Sequence, residues 1–179
     1  MASHGDLATF LSRGPVPASV PAALLEGPLV CLQDFAEADL QDLVWQSFHF
    51  FNTKFFGNQL FVDEIRFRGS VPGCSEASEG AEAAVLCEFS GDFTAARLWI
   101  EFIWPFCRKW PVTRMASVLL HEMVHVSQDS SWARWDSAAT AHSSHFLRIC
   151  ADLNQVCQDQ DFPFFPNVLT ESWVLLGVS

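Results

Sequence analysis

The sequence predicts an α+β fold in a single domain, with a small antiparallel or mixed sheet of three strands packed against three helices. Three observations carry this expectation. The chain has 179 residues, a length suited to one sizeable core. Its three β-like runs lie together, between one helical pattern and two later ones, so strands and helices are segregated and do not alternate as βαβ units. One of the later helical patterns is apolar almost all round, as a helix buried in a core must be.

Residues 1–35 are rich in Pro, Gly, Ala and Ser (Gly14-Pro15-Val16-Pro17, Gly27-Pro28) and read as an extended or partly disordered arm. A domain over 36–158 follows, with a C-terminal tail over 159–179 packing on it. A helix opens at Asp34 or Ala36 and runs to about Phe56. Leu40, Leu43, Val44, Ser47, Phe48, Phe51 and Phe55 recur there at helical spacing, and Gly57-Asn58 ends it. Leu60 to Arg68 reads as a strand with Phe61, Ile65 and Phe67 on one face and Glu64, Arg66 and Arg68 on the other. Residues 69–82 are a loop by composition. Ala83 to Phe89 and Ala95 to Trp104 are strands separated by the turn signal Ser90-Gly91-Asp92. Pro111 suits the first turn of the apolar helix, which ends near Gln128. A polar loop over 129–138 carries Trp132 and Trp135, which suit packing better than a substrate wall. A last helix spans about Ala139 to Gln158, and a Pro/Phe-rich tail follows.

Composition excludes several functions. Hydrophobic residues make up 50% of the chain and charged residues 17%, which is globular and not disordered composition. No apolar run reaches the roughly 18 to 20 residues of a membrane span, so no membrane association is expected. The N-terminus lacks a basic stretch followed by an apolar core, so a secretory signal is not expected. The six cysteines are scattered with no CxxC pair, which argues against a zinc ribbon and for reduced thiols in a cytoplasmic or nuclear protein. The net charge is −11, with 10 basic against 21 acidic residues. Proteins that hold nucleic acid by its phosphates usually carry a basic stripe. Here only Arg66/Arg68 and Arg108-Lys109 cluster, so direct nucleic-acid binding should be weak or absent.

The chemistry-bearing stretch is Leu119-Leu120-His121-Glu122-Met123-Val124-His125, inside the apolar helix. On a helix, His121 and His125 lie about one turn apart on one face, so both can reach one metal ion. Glu122 is rotated by about 100° from His121. It does not ligate in that geometry, but it can sit beside the metal's open position and take a proton from water there. The plain competing reading is an amphipathic helix that happens to hold two histidines.

A hydrolytic zinc site takes three protein ligands and leaves one position open. The close-spaced third histidine of an HExxHxxGxxH pattern is missing, because Gln128 and Ser131 occupy those places. Asp129, Asp136, Asp152 and Glu171 sit in no ligand pattern. The remaining candidates are His142 and His145. Placed on the last helix, His142 points within about 30° of the centre of the stripe Phe146, Ile149, Cys150, Leu153, Val156 and Cys157, and His145 about 80 to 90° off it. His142 is therefore the better ligand and His145 a flanking residue. His4 and His49 read as ordinary histidines.

With these residues in place, the chain resembles the SprT-like metalloprotease domain, the catalytic module of Spartan and its bacterial relatives. Phe51-Asn52-x-x-Phe55-Phe56-Gly57-x-x-Leu60 is similar to one signature of that family. Leu119-Leu120-His121-Glu122-Met123-Val124-His125 is similar to its metal-binding core, and His142-x-x-x-Phe146 with Leu153-Asn154 to its third block. The three blocks span about residues 36 to 158 in the family's order. The resemblance implies a zincin-like fold and a zinc-dependent endopeptidase in which His121, His125 and His142 hold Zn²⁺ and Glu122 is the general base. Relatives of the Spartan type cleave proteins trapped on DNA. The chain departs from the family at Ser143, where Gly is usual, in lacking the cysteine-rich zinc-binding extension, and in its acidity. Protease chemistry therefore carries over better than a role in DNA–protein crosslink repair, and DNA targeting would require a partner protein. The run Ala96 to Ile103 is expected to be the sheet edge that aligns an extended protein or peptide substrate. The alternative is a catalytically silent zinc-binding domain that acts as a binding or scaffold module.

Overall fold

Each of the three β-like runs becomes a strand of one sheet in a computed structural model of the protein, which describes residues 21–25, 30–68, 83–89, 95–128 and 142–159. The strands are β1 (Glu64–Arg68), β2 (Ala83–Phe89) and β3 (Ala95–Ile103). Their order is β1-β3-β2, with β1 parallel and β2 antiparallel to β3. The sheet is thus mixed, and the α+β class holds. β3 is its central strand, bonded on both sides, so Ala96 to Ile103 is not an edge as expected from sequence. Among the described residues the edges are β1 and β2.

Among the described residues the α-helices are α1 (Ala22–Leu25), α2 (Glu37–Phe56), α3 (Trp104–Cys107), α4 (Val112–Ser127) and α5 (Ser144–Asp159), with a 3-10 turn over Leu32–Asp34. Helix α2 ends because Gly57 adopts φ 61°, the left-handed conformation in which its N–H closes on the Asn52 carbonyl. β1 starts later than the apolar pattern suggested. The Asn52 side chain donates to the Leu60 carbonyl (2.8 Å) and accepts the Leu60 N–H (3.0 Å). The Asp63 carboxylate takes the Leu98 N–H at 2.7 Å. The Asp63 N–H in turn bonds the Leu98 carbonyl at 2.7 Å, so residues 60–63 are held by side chains together with this one backbone bond to β3.

Helix α4 is the hub, in contact with α1, α2, α5 and β2. Every residue from Val112 to Val124 except Arg114 is buried, as is His125. Pro111 is its N-cap and not a first-turn residue. The first helical N–H, from Val112, is satisfied from outside by the Val30 carbonyl at 3.0 Å. The same strap bonds through Leu32 N–H to the Trp110 carbonyl and Gln33 N–H to the Arg108 carbonyl. Leu24 and Leu32, both in the segment read as an arm, are fully buried in the core.

The inner face of the sheet contributes Ile65, Ile100 and Phe102 to that core. On the other face, Glu101 is 2% exposed and accepts from Arg66 Nε at 2.8 Å and Arg68 Nη1 at 3.2 Å. Arg97 pairs with Glu64 at 2.7 Å. Cys107, Cys150 and Cys157 are buried free thiols. Burial pushes Cys150 up to about 12 and Cys157 up to about 11, so both are unreactive near neutral pH. Among the described residues no helix is long and apolar enough to cross a membrane. The loop over 69–82, the turn at 90–92, the Trp132/Trp135 loop and residues 160–179 of the tail lie outside the described residues.

Candidate metal centre

Helical spacing brings His121 and His125 to one face of α4, their ring centroids 5.0 Å apart. His142 comes from across the helix pair, with centroids 5.3 Å from His121 and 5.0 Å from His125. One nitrogen from each ring lies within 4.8 Å of the others, and His142 Nε2 is 3.2 Å from His121 Nε2. An ion with tetrahedral metal–nitrogen bonds of about 2.0–2.1 Å separates its ligand nitrogens by about 3.3 Å. The spacing of the three histidines therefore fits a metal ion. His145 is exposed, and its Nδ1 meets Arg148 Nη2 at 3.0 Å. It takes no part in the cluster.

His142 reaches the site by a different route from the one its helical spacing implied. Helix α5 starts at Ser144, not near Ala139, and His142 occupies a turn ahead of it. The start is set by Ser143, whose Oγ accepts the Phe146 N–H at 3.3 Å and whose carbonyl accepts the Leu147 N–H at 3.0 Å. This is an N-cap bond from the cap side chain to the third helical N–H. The hydroxyl at 143 therefore has a structural use of its own, and the cap presents His142 toward α4.

Phe146, fully buried, floors the cluster. Its ring stacks on His125 at 4.2 Å and meets His121 and His142 edge-on at 4.8 and 4.9 Å. The sequence marked Phe146 only as part of an apolar stripe and of the third block; its spacing of four from His142 was the available signal. Val85, the other participant that sequence reasoning missed, carried no signal, because it acts through its backbone. Its backbone opposes the rise that burial causes in the Glu122 carboxyl.

Burial sets the electrostatics. His125 is pushed down to about 2, first by desolvation and then by the neighbouring His121 and His142. Burial lowers His142 as well. Neutral imidazoles are the form that ligates metal. Glu122 is 3% exposed, and without a metal its burial pushes the carboxyl up to about 8, partly opposed by the bond from Val85. A cavity of about 640 Å³ between α2 and β1, lined by Phe35, Leu40, Ile65 and Trp104, contains none of these residues.

Comparison with known proteins gives no family model that matches the chain and no curated protein that matches it.

Proposed function

We propose that the protein is a zinc-dependent endopeptidase of the zincin-like, SprT-like kind, with His121, His125 and His142 as ligands and Glu122 as general base. The observation that carries this is the convergence of three histidines, two of them on the helix that also carries the Glu122 carboxyl. The resemblance of three sequence blocks to the SprT-like domain supports it. Zinc, when bound, supplies the Lewis acidity that activates water and polarises a peptide carbonyl. The Glu122 carboxylate accepts the proton from water and delivers it to the leaving amine. Phe146 keeps the imidazoles in place and helps exclude bulk water from beneath them.

Substrate alignment belongs to β2. Among the described residues it is an edge strand in contact with α4, and an edge of this kind suits an extended peptide laid beside the metal site. Cleavage of proteins trapped on DNA rests on the resemblance alone, and a partner protein would have to bring the enzyme there.

The silent-module reading is favoured by one observation, the confinement of Glu122 by burial and by the Val85 N–H. Unfolded casein incubated with the zinc-loaded protein decides between the two. The wild type should cleave it, and Glu122→Gln, which keeps shape and removes basicity, should retain zinc and lose about 10² to 10⁴ in rate. Equal turnover by both proteins would overturn the proposed role of Glu122, and no cleavage by either would favour the silent module.

A further inference from the structure

The groove between α2 and β1 borders the sheet edge opposite β2. It has a volume of about 640 Å³ and runs along Glu64 to Phe67 of β1, about 13 Å of strand at the usual rise per residue. The central strand β3 separates this edge from β2, and none of the metal-centre residues lines the groove.

The β1 backbone turns two residues into it. The Leu98 N–H donates to the Asp63 carboxylate and the Leu98 carbonyl accepts the Asp63 N–H, each at 2.7 Å. The Leu98 backbone therefore faces β1, and by alternation along the strand Ile100 and Phe102 face it too. Glu64 stands opposite Trp99 and Arg66 opposite Glu101 in the parallel register. The slanted bonds of a parallel ladder then join Glu64 to Leu98 and Ile100, and Arg66 to Ile100 and Phe102. Ile65 and Phe67 are left with their N–H and carbonyl groups toward the open side. Gln41 on α2 agrees with this direction, since its Nε2 donates to the Ile65 carbonyl.

The rest of the groove has the character of a peptide site. Phe35 and Leu40 form one apolar wall, Phe67 and Trp104 the other, and the last two rings meet edge-on at 5.6 Å. Its charge is unbalanced. Arg66 is taken by Glu101 at 2.8 Å and Glu64 by Arg97 at 2.7 Å. Glu37 lines the groove one helical turn before Gln41. It is exposed, and among the described residues it forms no ion pair. An extended segment matches all three features, because its backbone pairs with the edge and every second side chain enters the pocket. A compact ligand would leave the row of backbone groups unmatched.

We propose that this groove docks an extended segment of a partner protein, which adds to β1 as a further strand. The segment places an apolar side chain between Leu40 and Trp104 and a lysine or arginine against Glu37. With Gln41 kept on the Ile65 carbonyl, it bonds the Ile65 N–H and both backbone groups of Phe67. The β2 edge stays free, so partner and substrate can be held together. The inference goes beyond the endopeptidase reading and stands without it.

The test uses the full chain carrying Glu122→Gln, so that no peptide is consumed. A display library of random heptapeptides is selected on it, and the most enriched peptide is synthesised. That peptide should alternate apolar residues and carry lysine or arginine. On binding, the Ile65 and Phe67 amides should shift in NMR spectra and exchange about tenfold more slowly, with the β2 amides unmoved. Glu37→Lys, a surface change, should weaken binding about three- to tenfold, and a peptide with glutamate in place of its basic residue should bind that variant better than the original peptide does. The proposal is overturned by a library without an enriched binder, by binding that leaves Ile65 and Phe67 unmoved, or by binding indifferent to Glu37→Lys. Protection of both amides in the dilute protein alone would mean that a segment of the same chain fills the groove. Protection that rises with protein concentration would mean that a second copy does. Either result overturns the assignment to a partner.

Discussion

At the level of single residues, the site depends on which histidine completes the cluster. His142 Nε2 lies 3.2 Å from His121 Nε2, whereas His145 is exposed and engaged with Arg148. His142→Ala should therefore lose most of the bound zinc and His145→Ala should keep it, with elemental analysis of dialysed protein as the measurement. Full zinc in His142→Ala would exclude the assignment. His121, Glu122 and His125 were legible because a one-turn spacing on a helix fixes geometry from sequence alone. His142 was legible for a partly mistaken reason. Its wheel position assumed a helix that begins three residues before it, but the residue enters from the turn ahead of that helix. The wheel still picked the histidine that the structure brings beside His121 and His125. Val85 could not be read at all, since a backbone N–H leaves no trace in residue identity.

At the level of elements, the cap of α5 joins secondary structure to the site. The Ser143 hydroxyl satisfies the Phe146 N–H, and Phe146 in turn supports all three imidazoles. Replacement of an N-cap serine by alanine costs about 0.5–2 kcal/mol, and by glycine only a few tenths. Ser143→Ala should accordingly lower the denaturant midpoint of the metal-free protein clearly, and Ser143→Gly hardly at all. No loss in Ser143→Ala would show that the hydroxyl bond does not hold the cap. Strand existence was legible in alternation and turn residues, but strand order was not. Nothing in Ala95–Ile103 marks it as central, because its partners are chosen by the connections and by the helices that cover the sheet. The late start of β1 was likewise hidden, since it depends on Asn52 and Asp63 bonding across distances that sequence spacing does not specify.

For the whole molecule, charge governs both stability and partners. Without metal, Glu122 is raised from 4.5 to about 8, so its contribution is complete below 4.5 and is lost as pH rises toward 8. His125 is depressed from 6.5 to about 2, so its contribution is complete above 6.5 and is lost as pH falls toward 2. The two opposing slopes leave the metal-free protein most stable in the window between those unfolded values, and Glu122→Gln should flatten the alkaline decline in chemical denaturation measured across pH. An alkaline limb of equal steepness in the variant would remove Glu122 as its cause. The same accounting of charge bears on DNA. Arg66 and Arg68, half of the clustered basic residues, are both turned onto the buried Glu101, and Arg97 is turned onto Glu64. An arginine committed to a carboxylate releases few counterions on meeting phosphate, and each phosphate contact accounts for about one unit of salt slope. With 21 acidic residues against 10 basic ones, the isolated chain should bind single- and double-stranded DNA weakly, with a shallow salt dependence. Fluorescence anisotropy at low and physiological salt measures this. Tight binding that falls steeply with salt would mean that other basic residues gather into a face of their own, and recruitment to DNA would then need no partner protein.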